Sequence, residues 1–191
     1  MGAMAAVLAL ALEPLEEACR QAAQETRGTV SPANINSPDQ VVISGSKAAV
    51  ERAAELAKEK GAKQTVMLPV SAPFHCSLMQ PAQDKLAADL GTLKFSAPNA
   101  PVITNVDATS VRDPEDARDA LIRQVTAAVQ WVRSIQALVA AGVQTLVEVG
   151  PGKVLTGLLR QIDRSRTGLN VENEESLQKT LASLAGSLAA S

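Results

Sequence analysis

Apolar positions along this chain follow two rhythms, and the switches between them mark out its elements. Ala3–Leu10 is a short continuous apolar run suited to a buried strand. Leu15, Ala18, Cys19 and Ala22 then recur at helical spacing. They predict a helix over Pro14–Glu25, with Pro14 in its first turn and Gly28 ending it. Thr29–Asn36 reads as a strand, Ser37-Pro38-Asp39 as a turn, and Gln40–Gly45 as the clearest strand of the chain. Ser46 is placed to cap a helix over Lys47–Lys60, which Gly61 stops, and Ala62–Leu68 supplies a fourth strand.

That order, βαββαβ, is the ferredoxin-like arrangement. Beyond it the pattern changes. Ser77–Leu90 reads as an amphipathic helix and Pro101–Val106 as a buried strand. Pro114–Ala141 is mostly helix, with a break near Thr126. Gln144–Val149 is a strand running into Gly150-Pro151-Gly152, and Lys153–Ile162 is a helix. Ser165–Asn173 reads as a loose linker before a final helix, Glu174–Ala190, with Leu177, Leu181, Leu184 and Leu188 on one face. Two strands among several helices imply part of a parallel α/β sheet that lacks flanking strands.

Composition narrows the function classes. The 191 residues hold two Phe, one Trp and no Tyr, so the core is aliphatic and no base-stacking platform exists. A net charge of −2 also argues against a nucleic-acid partner. Two cysteines, Cys19 and Cys76, make neither a disulfide framework nor a metal site, and they point to reduced thiols in the cytoplasm. The run Met4–Leu12 is too short to span a membrane and has no basic residue before it. Met-Gly is followed by Ala6 where a myristoylation signal needs Ser or Thr.

The only histidine, His75, sits in Ser71-Ala72-Pro73-Phe74-His75-Cys76, between an apolar strand and a helix. Histidine exchanges protons near neutral pH, and strand-end loops often carry catalytic groups on α/β scaffolds. A lone histidine is also an ordinary surface or satisfied core residue; Pro69 and Pro73 favour a ring held in a fixed place. Cys76 is a poor candidate nucleophile, since adjacent side chains rarely face each other. No Gly-x-Ser-x-Gly turn, which would present a serine to such a base, occurs in the 191 residues. Gly150-Pro151-Gly152-Lys153 lacks P-loop spacing and reads as a tight turn before it reads as a phosphate site. Asp107, Asp113, Glu115 and Asp116 lack metal-ligand spacing and read as a solvated loop; neither metal nor cofactor is expected.

Taken together, several segments form a pattern: Asn34-Ile-Asn36-Ser-Pro38, Gln40–Gly45, Leu68–Cys76, Arg123-Gln124, Val129-Gln130-Trp131 and Glu148–Gly157. In this order and spacing they closely resemble the malonyl-CoA:acyl-carrier-protein transacylases of bacterial fatty-acid synthesis, from about Gly2 to about Ile162. The resemblance implies a complete ferredoxin-like small domain at 3–69. The C-terminal part of an α/β-hydrolase-like large domain follows at 70–164, then a linker and amphipathic helix at 165–191. It also implies ping-pong transfer of malonyl from coenzyme A to the phosphopantetheine thiol of acyl carrier protein. His75 matches the general base, and Gln124 the residue whose backbone carbonyl orients it. Asn34, Asn36 and Asn105 match asparagines near the site. Phe74, before the histidine, matches the pattern associated with malonyl selectivity.

The family's elbow serine, its carboxylate-pairing arginine and its oxyanion amides correspond to positions upstream of Met1. The chain is therefore expected to be a C-terminal portion, inactive alone, with exposed apolar edges where neighbouring strands are lacking. Two other readings stay open: a non-catalytic module that binds a carrier protein, and one half of a split transacylase.

Overall fold

The stretch Gly2–Leu8, buried without a break from Ala3 to Val7, sets the architecture of the N-terminal part of the chain. In the computed structural model, which describes residues 2–188, this stretch is strand β1, flanked by apolar neighbours on both sides. It runs antiparallel to β3 (Gln40–Ser46) with Ala5 opposite Ile43 and Val7 opposite Val41, and antiparallel to β4 (Gln64–Met67) on its other side. β2 (Val30–Ser37) pairs with β3 and closes a four-stranded sheet of order β2-β3-β1-β4. As the outer strand, β2 tolerates Pro32 and two register shifts.

Helices α1 (Leu12–Thr26) and α2 (Lys47–Glu59) pack on each other and on the sheet. Leu15, Ala18, Cys19 and Ala22 of α1, the residues that the periodicity singles out, are all buried. They join Ala49, Val50, Ala53, Leu56 and Ala57 of α2 and Ala3, Ala5, Val7 and Ile43 of the sheet. Met4, Ala6, Ala33 and Val42 form a second, smaller cluster. Two details differ from the sequence reading. α1 stops at Arg27, which takes left-handed φ 51°, before Gly28 is reached. Ser46 precedes α2 without capping it, because its hydroxyl faces Thr29, donating to the Thr29 carbonyl at 3.4 Å.

The chain forms two compact units, Met1–Ala137 and Leu138–Ser191. The module expected at 3–69 lies inside the first. After it come a 3-10 turn at Ser77–Met79 and α3 (Gln80–Gly91), none of whose residues is buried. The buried strand expected at Pro101–Val106 is instead two residues, β5 (Val102–Ile103), with Val102 47% exposed. Its partner is the equally short β6 (Ser110–Val111), and the two form a two-stranded sheet of their own. α4 (Pro114–Arg123) and α5 (Trp131–Ala140) follow, separated by an irregular stretch where the break near Thr126 is predicted. That stretch docks on the free edge of β2: Ile35 N–H donates to the Val129 carbonyl, and Val129 N–H to the Ala33 carbonyl, each at 2.9 Å.

In the second unit, β7 (Thr145–Val149) and β8 (Thr167–Val171) pair in parallel through α6 (Val154–Ile162), and α7 (Glu174–Leu188) packs against β8. The segment expected as a linker therefore carries a strand, with Leu169 opposite Val147 and Val171 opposite Val149. The predicted end of the last helix at Ala190 lies outside the described residues.

Candidate active site

Three anchors hold the turn that carries His75. Pro73 packs so closely on the start of β1 that a Cβ at Gly2 would overlap its ring. The Cys76 thiol, buried, donates to the Pro73 carbonyl at 3.1 Å, and Met79 N–H donates to the Cys76 carbonyl at 2.9 Å. Cys76 is thus an anchor of the turn. His75 itself takes φ 58°, a conformation few non-glycine residues adopt and one that costs on the order of 1 kcal/mol or more.

The ring then meets a helix end. His75 Nδ1 lies 2.8 Å from the backbone carbonyl oxygen of Gln124, the residue after α4. A carbonyl only accepts, so Nδ1 carries the proton and donates, and Nε2 keeps its lone pair. Asn105 Nδ2 in turn donates to Gln124 Oε1 at 3.0 Å, and Gln130 N–H donates to the Asn105 carbonyl at 2.8 Å. His75, Gln124 and Asn105 therefore form one hydrogen-bonded group. Asn34 joins it indirectly, since its neighbours Ala33 and Ile35 hold Val129 on the edge of β2. Phe74, 44% exposed, adjoins the group as the residue before His75, whereas Asn36 lies on β2 two residues beyond Asn34 and makes no bond to the group.

Asp107, which the sequence reads as part of a solvated loop, is paired with the residue before Gln124. Both its oxygens accept from Arg123, at 3.0 and 2.6 Å, and this guanidinium holds the Asp107 carboxyl below the usual carboxylate range. Asp113 caps α4, accepting from the backbone N–H groups of Glu115 and Asp116 at 2.8 and 3.3 Å. A cavity of about 350 Å³ adjoins Asn105 and Gln124, lined chiefly by Phe95, Val102, Val111 and Leu121.

In the second unit the Gly-Pro-Gly-Lys turn and the first turn of α6 hold carboxylates of their own chain. Glu148 accepts from Leu155 N–H at 3.1 Å and from both the N–H and hydroxyl of Thr156 at 2.7 Å, filling the N-terminus of α6. Partial burial pushes its pKa up, but the bonds from Thr156, Leu155 and Val154 outweigh that and leave it lowered. Gly152 N–H donates to Glu172 at 3.0 Å. Gly150 and Gly152 take φ 143° and 88°, as a tight turn requires.

The model of the acyl transferase domain matches residues 1–185. The chain belongs to the acyl transferase domain family. It is 51% identical over 161 residues to the malonyl CoA-acyl carrier protein transacylase of Escherichia coli K12, covering 84% of this chain and 52% of that one. Among solved structures, an acyl carrier protein S-malonyltransferase from Vibrio cholerae matches with a TM-score of 0.90 and 50% identity, over 94% of this chain and 58% of that one. A type II polyketide-synthase acyl-carrier protein in complex with its malonyl-transacylase matches with a TM-score of 0.92 and 43% identity, over 95% and 58%. The chain spans a little over half the length of these acyl transferases and aligns to the C-terminal portion of the curated relatives. Among the described residues, no helix is long and apolar enough to cross a membrane.

Proposed function

We propose that this chain is the C-terminal part of an acyltransferase that moves malonyl from coenzyme A to the phosphopantetheine thiol of acyl carrier protein. His75 is its general base, and the serine nucleophile comes from outside these 191 residues. The observation that carries this reading is the bond between His75 Nδ1 and the Gln124 carbonyl, which leaves Nε2 as the proton acceptor. The relatives' names supply the substrate class, and the solved complex supplies the carrier protein as partner.

In the proposed cycle His75 Nε2 takes the serine hydroxyl proton as that oxygen attacks the malonyl thioester. The imidazolium returns the proton to the departing coenzyme A thiolate. The carrier thiol then gives its proton to Nε2 and attacks the malonyl-serine ester, and the serine leaves with that proton. The Gln124 carbonyl, accepting from Nδ1–H throughout, stabilises the ring in its charged moment. Asn34, Asn36 and Asn105 line the neighbourhood of the reacting group, and Phe74 limits the room for an α-methyl branch.

The sheet order β2-β3-β1-β4 supports a ferredoxin-like domain at 3–69. The parallel β7-α6-β8 unit supports an α/β-hydrolase-like remainder that begins at 70 and takes β8 from the segment beyond 164. A cytoplasmic setting is supported by two cysteines that are free and buried.

The test joins mass spectrometry with reconstitution. The chain alone, incubated with malonyl-CoA, is expected to gain no malonyl adduct. With the N-terminal portion of a full-length relative added in trans or fused, transfer to acyl carrier protein is expected. His75→Ala should then abolish most of it. A stoichiometric adduct on the unaided chain, or undiminished transfer by His75→Ala, overturns the proposal.

A further inference from the structure

The carbonyl that receives His75 belongs to Gln124, just past the end of α4, where backbone carbonyls have no intrahelical partner. Two consecutive residues there reach the same neighbouring loop. Arg123 donates through Nη1 and Nη2 to the two oxygens of Asp107, and through Nε to Asp119 at 2.6 Å. Gln124 accepts through Oε1 from Asn105. The loop is itself closed, with Ala108 N–H donating to the Thr104 carbonyl at 2.9 Å, and Asn105 is also held by Gln130.

We propose that Asp107 and Asn105 are positioning residues for His75: through Arg123 and the Gln124 amide they aim the Gln124 carbonyl at Nδ1. A planar guanidinium gripped at both oxygens of one carboxylate cannot swivel as a lysine would, so the pair fixes orientation as well as distance. The Asn105 amide adds a second attachment one residue on. Together they set the tautomer, with the proton on Nδ1 and the lone pair on Nε2. The catalytic meaning of this clamp rests on the proposed function; its physical content concerns the ring alone.

His75 is the only histidine of the chain, so a sample of the full chain labelled with nitrogen-15 histidine reports one ring. Spectra in alkaline buffer, where imidazole is neutral, are expected to show the Nδ1–H tautomer as the dominant form. Asp107→Asn and Asn105→Ala should each shift the tautomer ratio toward Nε2–H by roughly fivefold, the ratio an ordinary hydrogen bond sustains. Asp107→Glu, which can still grip Arg123, should recover most of the native ratio. Far-UV circular dichroism should stay native, because exposed pairs add little to stability. If Asp107→Asn loses its fold, Asn105→Ala, which removes one exposed hydrogen bond, carries the decision. A native ratio in folded Asn105→Ala and Asp107→Asn, or a mixture in the unaltered chain, overturns the proposal. Acyl transfer is not read, so a failed transfer reading leaves this outcome intact.

Discussion

Gly45 gives the sharpest test of the β2–β3 pairing. It lies opposite Val30, and a Cβ built on it would overlap the Thr29 carbonyl oxygen and stand 2.7 Å from both the Thr29 carbonyl carbon and Val30 Cα. All three are backbone atoms, so no rotamer change relieves the clash. Relieving the overlap with the oxygen, to an ordinary carbon–oxygen separation of ~3.2 Å, means moving the strand by roughly 1.3 Å. That shift breaks the Ser46 N–H bond to the Thr29 carbonyl, 2.8 Å long. Overpacking of this kind costs about 1–3 kcal/mol and the lost bond about 1 more, so Gly45→Ala should destabilise by about 2–4 kcal/mol. Gly91, at the end of α3, is the control: nothing lies within 4 Å of its Cβ position, and Gly91→Ala should be neutral or stabilise by up to ~1 kcal/mol. Urea melts of both variants, followed by far-UV circular dichroism, decide the matter. Equal midpoints for Gly45→Ala and Gly91→Ala would refute the register.

Leu15 is fully buried among small alanines that cannot expand into a gap, so Leu15→Ala should cost about 2–5 kcal/mol in the same melts; a loss below ~1 kcal/mol contradicts the packing. Glu148 is lowered from 4.5 in the folded chain, so its bonds to α6 stabilise above that pH and are lost as pH falls through the lowered value. Glu148→Gln should flatten the acid limb of stability against pH, and an unchanged limb would show that Glu148 does not supply it. Phe74→Ser, in a reconstituted enzyme, should relax discrimination against methylmalonyl by about 1–3 kcal/mol, read as the ratio of kcat/KM values. An unchanged ratio places Phe74 away from the acyl group.

The sheet module was legible because its signals are local and redundant. The β1 and β3 runs, the buried stripe of α1 and the turn at Ser37-Pro38-Asp39 each constrain the next. β8 escaped notice because Gly168 and Asn170 interrupt it, leaving only Leu169 and Val171 as an alternating signal. β6 is two residues beside a charged turn, with no period to read. The site divides in the same way. His75 stood out as the single histidine at a strand–helix junction, but its partner lies 49 residues away and came from family resemblance, since no spacing rule connects a ring to a distant carbonyl. Asp107, 16 residues from its partner Arg123, reads as part of a solvated acidic loop for the same reason.

The buried thiol beside His75 has a practical use. Cys76 is 1% exposed and bonded inside the turn, while Cys19 lies in the sheet core, where burial pushes its thiol up to about 12. Neither can meet an alkylating reagent until its surroundings open. Cys76 is thus a native stopwatch for the turn that holds the base, and Cys19 is one for the module beneath. Their two maleimide-labelling rates, taken from one sample by peptide mapping, compare how often each place breathes, with no engineered probe.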